Sequence, residues 1–107
     1  MNDTLEIEPQ ALVEMMKVPG KVFLLDCREP WEHEIARIER ATLMPMRQVP
    51  QSLEQIPKDV PVVVYCHHGM RSLNVAAWLR QHAIEAQSLL GGIERWSLEI
   101  DPGVPRY

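Results

Sequence analysis

Only two cysteines, Cys27 and Cys66, occur among the 107 residues. Two are too few for a disulfide framework. The opening "MNDTLEIEPQ" has neither the basic segment nor the apolar run of a secretion signal. Both thiols are therefore expected to be reduced, in a cytosolic chain. Long hydrophobic runs are missing as well. None approaches the roughly 18–20 residues that cross a bilayer, so no membrane span is expected. Basic excess is also lacking: the formal net charge is −4, which argues against a broad nucleic-acid surface. An anionic substrate has to be held by local positive groups, against the overall field. No repeat or low-complexity segment stands out.

What is present fits one small domain over residues 1–107. Hydrophobic residues make up 46% of the chain, enough for a core, and charged residues 24%, ordinary for a folded soluble protein. The pattern alternates. "IEPQALVEMMKV" reads as a helix with Pro9 at its first position. "KVFLLDC" is a short continuous apolar run, expected as a strand covered on both faces. "REPWEHEIARIER" reads as loop or short helix, and "ATLMPM" as a brief strand ended by Pro45. "RQVPQSLEQI" is a weak helix. "VPVVVYC" is the clearest strand, dominated by β-branched residues. "RSLNVAAWLRQHA" follows as a helix, "EAQSLLGG" as a short strand, "IERWSLEI" as a last helix and "DPGVPRY" as a Pro-rich tail.

Strands alternating with helices imply an α/β domain with a small, mostly parallel central sheet and helices on both faces. Ligands in such sheets sit beyond the carboxyl ends of the strands. Three of those ends, "DCRE", "CHHGMR" and "LGG", are expected to converge on one edge.

The run "VVVYCHHGMRS", residues 62–72, carries the chemistry. Its apolar strand stops on Cys66 and turns at once towards a helix. A thiol attacks as thiolate, and a free cysteine ionises at about 8.5. The unpaired amides of a turn and a first helical turn favour the anion. A loop from His67 to Met70 would aim them at the sulfur, and Gly69 permits a positive φ. A metal site at Cys66, His67 and His68 is disfavoured, because zinc ligands are usually spaced by about two to four residues. His33 and His82 are too isolated to complete one. The plain alternative for Cys66 is a thiol that merely ends a core strand.

Taken together, the motifs resemble the rhodanese-like sulfurtransferase family over nearly the whole chain. "LLDCREPWEHE" is similar to its D-x-R-E-P-x-E segment, "YCHHGMRS" to its six-position active-site loop, and "GGIERW" to its later G-G-x-x-x-W. "IEPQALVEMM" resembles its opening helix. The chain departs from the family at "ARIERA", where Ala36, Arg37 and Arg40 stand in place of the common Gly, His and Gly. Cys27 replaces a common valine and is expected to be a small buried hydrophobe.

The resemblance implies that Cys66 takes a sulfur from a donor such as thiosulfate, holds it as a persulfide and passes it to a thiophilic acceptor. His67, His68, Gly69, Met70 and Arg71 would form the substrate-binding loop. Asp26, Arg28, Gly91 and Gly92 would support it. Arg71 is expected to favour the thiolate, or to pair with an acid such as Asp26 or Glu29; Arg28 is expected to be structural. His67 and His68 are expected to be exposed. Trp31, Trp78 and Trp96 are assigned to the core. No metal or organic cofactor is implied. Donor and acceptor are small molecules or proteins, with a sulfur-relay partner among the options. Two other functions stay open: a non-catalytic binding module, and a phosphatase of the same fold. Phosphatase loops of that kind are C-x5-R, whereas Cys66 to Arg71 is C-x4-R.

Overall fold

The computed structural model describes residues 4–107. Five parallel strands form one sheet in the order β1-β5-β4-β2-β3. They are β1 (Glu6–Ile7), β2 (Phe23–Asp26), β3 (Thr42–Leu43), β4 (Val62–Tyr65) and β5 (Ala86–Leu89). Four α-helices pack with them: α1 (Pro9–Met16), α2 (Pro30–Ile35), α3 (Met70–Gln81) and, after the last strand, α4 (Gly92–Glu99). The α/β class and the parallel sheet are as the alternating pattern implied.

Strand β4 is central and all four of its residues are buried. Alternate side chains of a strand point to opposite faces, so β4 feeds both halves of the core. Val62, Val64 and Cys66 join Leu25, Cys27, Val75, Ala76 and Leu79 on the α3 side. Val63 and Tyr65 join Leu12, Leu24, Ile93 and Trp96 on the side of α1 and α4.

Several local outcomes differ from the sequence pattern. Strand β1 is too short to have a readable alternation; it forms because Ser88 donates to Leu5 and Leu90 to Ile7 across the edge of β5. The helix expected over "RQVPQSLEQI" is instead two 3-10 segments, Met46–Gln48 and Pro50–Gln55. Pro50 has no amide to continue a helical ladder, and Ser52 leaves helical geometry at φ −113°. Trp96 is core, at 5% exposure, and Trp78 is partly buried against the α3-side cluster. Trp31 is not core: it is 57% exposed. Helix α2 has only six residues, and its inward position goes to Glu32.

Candidate active site

The site lies at the carboxyl ends of β2, β4 and β5, where the three segments expected to converge do meet. Helix α4 docks directly under the loop that follows β4. The amide of Ile93 donates to the Cys66 carbonyl at 2.9 Å, and that of Glu94 to the His67 carbonyl at 3.1 Å. Gly92 makes this approach possible. A Cβ there would lie 2.4 Å from the His67 carbonyl oxygen and 2.6 Å from that of Cys66. Gly91 precedes it with φ +78° and caps α4.

Cys66 Sγ sits at the base of a small set of donors. It receives the amide of Gly69 at 3.2 Å and that of Ser72 at 3.3 Å, and meets Ser72 Oγ at 3.3 Å. The Ser72 amide is among the first N–H groups of α3, which have no partner inside the helix. Gly69 caps α3 with φ +107°, a conformation that side chains disfavour. Behind Ser72 stands Ser88 of β5, with the two hydroxyl oxygens 2.7 Å apart. When Ser72 donates to a thiolate, Ser88 supplies the proton that Ser72 Oγ accepts.

The second cysteine lies alongside. Residues Asp26 and Tyr65 are register partners on adjacent strands, and the Cys27 amide donates to the Tyr65 carbonyl at 3.1 Å. Cys27 and Cys66 are thus the next pair across β2 and β4. Both are 1% exposed. The neighbouring Cys27 thiol is the largest influence on the Cys66 ionisation, and it pulls it down. Burial pulls the Cys66 ionisation up; Ser72 and Gly69 join Cys27 in pulling it down, to about 5. The same contact, with burial, pushes the Cys27 thiol far above the usual range. Cys27 is buried, as expected, and stands beside Cys66 on the neighbouring strand.

A buried polar network braces the loop from the other side. Arg28 and Asp26 are both fully buried. Arg28 gives Nε to Asp26 Oδ1 at 2.8 Å and Nη2 to Oδ2 at 2.7 Å. Its remaining reach goes to the Ala36 carbonyl and, through Nη1 at 2.8 Å, to the Tyr107 hydroxyl. Tyr65 donates to Asp26 Oδ2 at 3.2 Å, and His33 Nδ1 lies 2.8 Å from the same oxygen. Asp26 and Arg28 thus form a fully buried ion pair.

Arg71 pairs with Glu32, not with Asp26 or Glu29. The pair is bidentate, 2.8 and 2.9 Å. Glu32 is the third residue of α2, and its carboxylate also takes the Glu29 amide in a capping box. Glu29 is committed instead to that box and to Arg47. Burial pulls the Glu32 carboxyl up, but Arg71, the Glu29 amide and Tyr107 hold it down at about 2.

Tyr107 was not legible as a site residue. Its hydroxyl donates to Glu32 Oε2 at 2.7 Å while accepting from Arg28. Its ring stacks on His67, 3.9 Å between centroids and 9° from parallel, and His68 stacks on the other face of His67. His67 is consequently half-buried, and burial lowers its pKa. His68 is exposed as expected. Met70, in the same loop, is 73% exposed. Ser72 and Glu32 were missed too, although "HHGMRS" and "EPWE" place them at the start of α3 and in the first turn of α2.

No described helix is long and apolar enough to cross a membrane.

Comparisons with known proteins agree with this geometry. The family model for the rhodanese-like domain matches residues 8–99. A protein named "Sulfurtransferase" from Allochromatium vinosum is 36% identical over 93 residues, covering 86% of this chain and 87% of its own. "Thiosulfate sulfurtransferase GlpE" of Tolumonas auensis is 33% identical, covering 90% and 91%. A crystal structure of a rhodanese-related protein from Thermoplasma volcanium superposes with a TM-score of 0.85 at 27% identity, over 97% of this chain and all of the other. In some larger relatives the matching span is a minor part, 30% or 26% of their length. The chain belongs to the rhodanese-like domain family, with full-length relatives that bear the name sulfurtransferase.

Proposed function

We propose that the chain is a sulfurtransferase whose carrier is Cys66, loaded by an anionic sulfane donor of the thiosulfate type. The observation that carries this reading is the donor set on Cys66 Sγ: two amides and the Ser72 hydroxyl. Such a set stabilises a thiolate at neutral pH without a neighbouring base.

In the first step the Cys66 thiolate attacks the outer sulfur of thiosulfate. The new Sγ–S bond forms as the S–S bond of the donor breaks, and sulfite leaves with its electron pair. A Cys66 persulfide anion remains. In the second step a thiophilic acceptor attacks the terminal sulfur, and Cys66 departs as thiolate. Charge and sulfur balance in both steps, and no general base is needed. The loop His67–Arg71 would receive the terminal sulfur, with its amides and the α3 N-terminus offsetting negative charge. Asp26, Arg28, Gly91 and Gly92 act at one remove, by holding the loop in place. Donor and acceptor, small molecule or protein, visit the same sulfur in turn, which suits a relay between partner proteins.

Transfer from thiosulfate to cyanide tests this reading. Wild type should form thiocyanate, and Cys66→Ser should lose at least 1000-fold in rate, on the order of the loss of a covalent nucleophile, with an unchanged circular dichroism spectrum. Thiocyanate formation by Cys66→Ser at the wild-type rate would overturn it.

A further inference from the structure

The mechanism above uses Cys66 alone and leaves a second buried thiol beside it. Three features of that thiol bear on chemistry. Cys27 and Cys66 follow the Asp26–Tyr65 register pair on hydrogen-bonded parallel strands. Neighbouring strands lie about 4.8 Å apart, inside the roughly 4.4–6.8 Å between Cα atoms that a disulfide requires. Both side chains point into the same half of the core, so their sulfurs share one side of the sheet. Both residues lie just past the last residues of β2 and β4, and hydrogen bonds from the Cys27 amide to Tyr65, from Met46 to the Cys27 carbonyl and from Ile93 to the Cys66 carbonyl hold them side by side.

The approach directions complement each other. Gly69 and Ser72 reach Cys66 Sγ from the loop and α3, whereas Cys27 flanks it from the end of β2, on the same face of the sheet. A sulfur added on the loop side would leave Cys27 behind the Sγ atom, on the side from which a displacement proceeds.

We propose that Cys27 is a resolving thiol that discharges the Cys66 persulfide as hydrosulfide. The inference rests on the sulfur-carrier reading of Cys66. Once loading has removed the Cys66 thiolate beside it, Cys27 ionises; its thiolate attacks Cys66 Sγ, the Sγ–S bond of the persulfide breaks, and a Cys27–Cys66 disulfide forms. The Cys27 proton leaves with the terminal sulfur, so a persulfide anion and a thiol give a disulfide and a hydrosulfide anion. The two cysteine sulfurs supply the two electrons that reduce the sulfane sulfur; no outside oxidant takes part. The product chain is closed to further loading until an external dithiol reduces it. The site then has two outlets for its sulfur: transfer, when an acceptor is bound, and release as hydrosulfide with self-locking, when none is.

The test is a time course of intact mass and hydrosulfide, run anaerobically with a chelator on fully reduced protein, with thiosulfate and no acceptor or thiol. Wild type should gain one sulfur atom, then convert to a species two hydrogen atoms lighter than the reduced chain, releasing one hydrosulfide per chain. Peptide mapping should join Cys27 to Cys66, and a dithiol should restore loading. Cys27→Ala and Cys27→Ser should gain the sulfur and keep it. If wild type holds its extra sulfur as long as the Cys27 variants do, the resolving role is overturned while the carrier role stands. If neither wild type nor the Cys27 variants gain sulfur, the carrier reading with this donor fails and the resolving role falls with it.

Discussion

Arg71 meets Glu32 through two parallel hydrogen bonds, 2.8 and 2.9 Å long, across 39 residues of sequence. The contact fastens the end of the Cys66 loop to the first turn of α2. Arg71→Ala should cost stability because it leaves a nearly buried carboxylate without its cation. The expected loss is about 1.5–3 kcal/mol, at the lower end because the Arg71 end is solvent-screened. Arg71→Lys should restore the charge but not the bidentate geometry, and should recover less than half of it. Urea unfolding measures both. The Glu32 carboxyl is depressed to about 2 in the fold. Its contribution is therefore fully present above the ordinary carboxyl pKa and is lost as pH falls through about 2. The deficit of Arg71→Ala should shrink over that window.

Tyr107 couples two halves of the network that do not otherwise touch, Arg28 with Asp26 and Glu32 with Arg71. Tyr107→Phe keeps the ring on His67 and removes the hydroxyl. It should cost about 1–2 kcal/mol and leave most of the sulfur-transfer rate. Tyr107→Leu removes the stack as well, and should lower kcat/KM further by releasing His67. Equal kinetics for the two variants would show that the stack does not position the loop.

Cys66 should be ionised well below neutrality. Its alkylation rate should rise with pH through a midpoint near 5. Ser72→Ala removes a donor from the thiolate and should move the midpoint up by about one unit or more. A wild-type midpoint near that of a free cysteine, about 8.5, would contradict the donor set described here.

Gly92→Ala places a methyl group against the His67 and Cys66 carbonyls, where a Cβ would lie at 2.4 and 2.6 Å. Backbone cannot yield as a flexible side chain does. The variant should lose about 1–3 kcal/mol of stability and most of its transfer activity. Thermal unfolding and the cyanide assay check the two effects separately.

The sheet was legible because its strands carry their own signals. "VVVY" and "FLLD" are continuous apolar runs, and Cys66 stands where one of them stops. The loop was legible for the same reason: Gly69 follows Cys66 at a point where the chain must turn. Glu32, Ser72, Ser88 and Tyr107 were harder. Glu32, Ser88 and Tyr107 act through contacts distant in sequence, and Ser72 through a turn whose geometry no local period encodes. The partner of Arg71 illustrates this. Asp26, Glu29 and Glu32 are all nearby acids, but Asp26 is consumed by Arg28, and Glu29 by the α2 cap and Arg47. Trp31 and Ile35 share an apolar spacing of four residues on α2, yet both are exposed, because the inward position of this six-residue helix goes to Glu32. Cys27 was read as core, which its burial matches; its place beside Cys66 follows only from the β2–β4 register.

The central claim, that Cys66 accepts a sulfane sulfur, is tested most directly by counting sulfite. Reduced protein is mixed with excess thiosulfate in the absence of any acceptor or thiol. The account predicts one sulfite per chain from wild type and from Cys27→Ala, and none from Cys66→Ser. Sulfite from Cys66→Ser in the wild-type amount would contradict it.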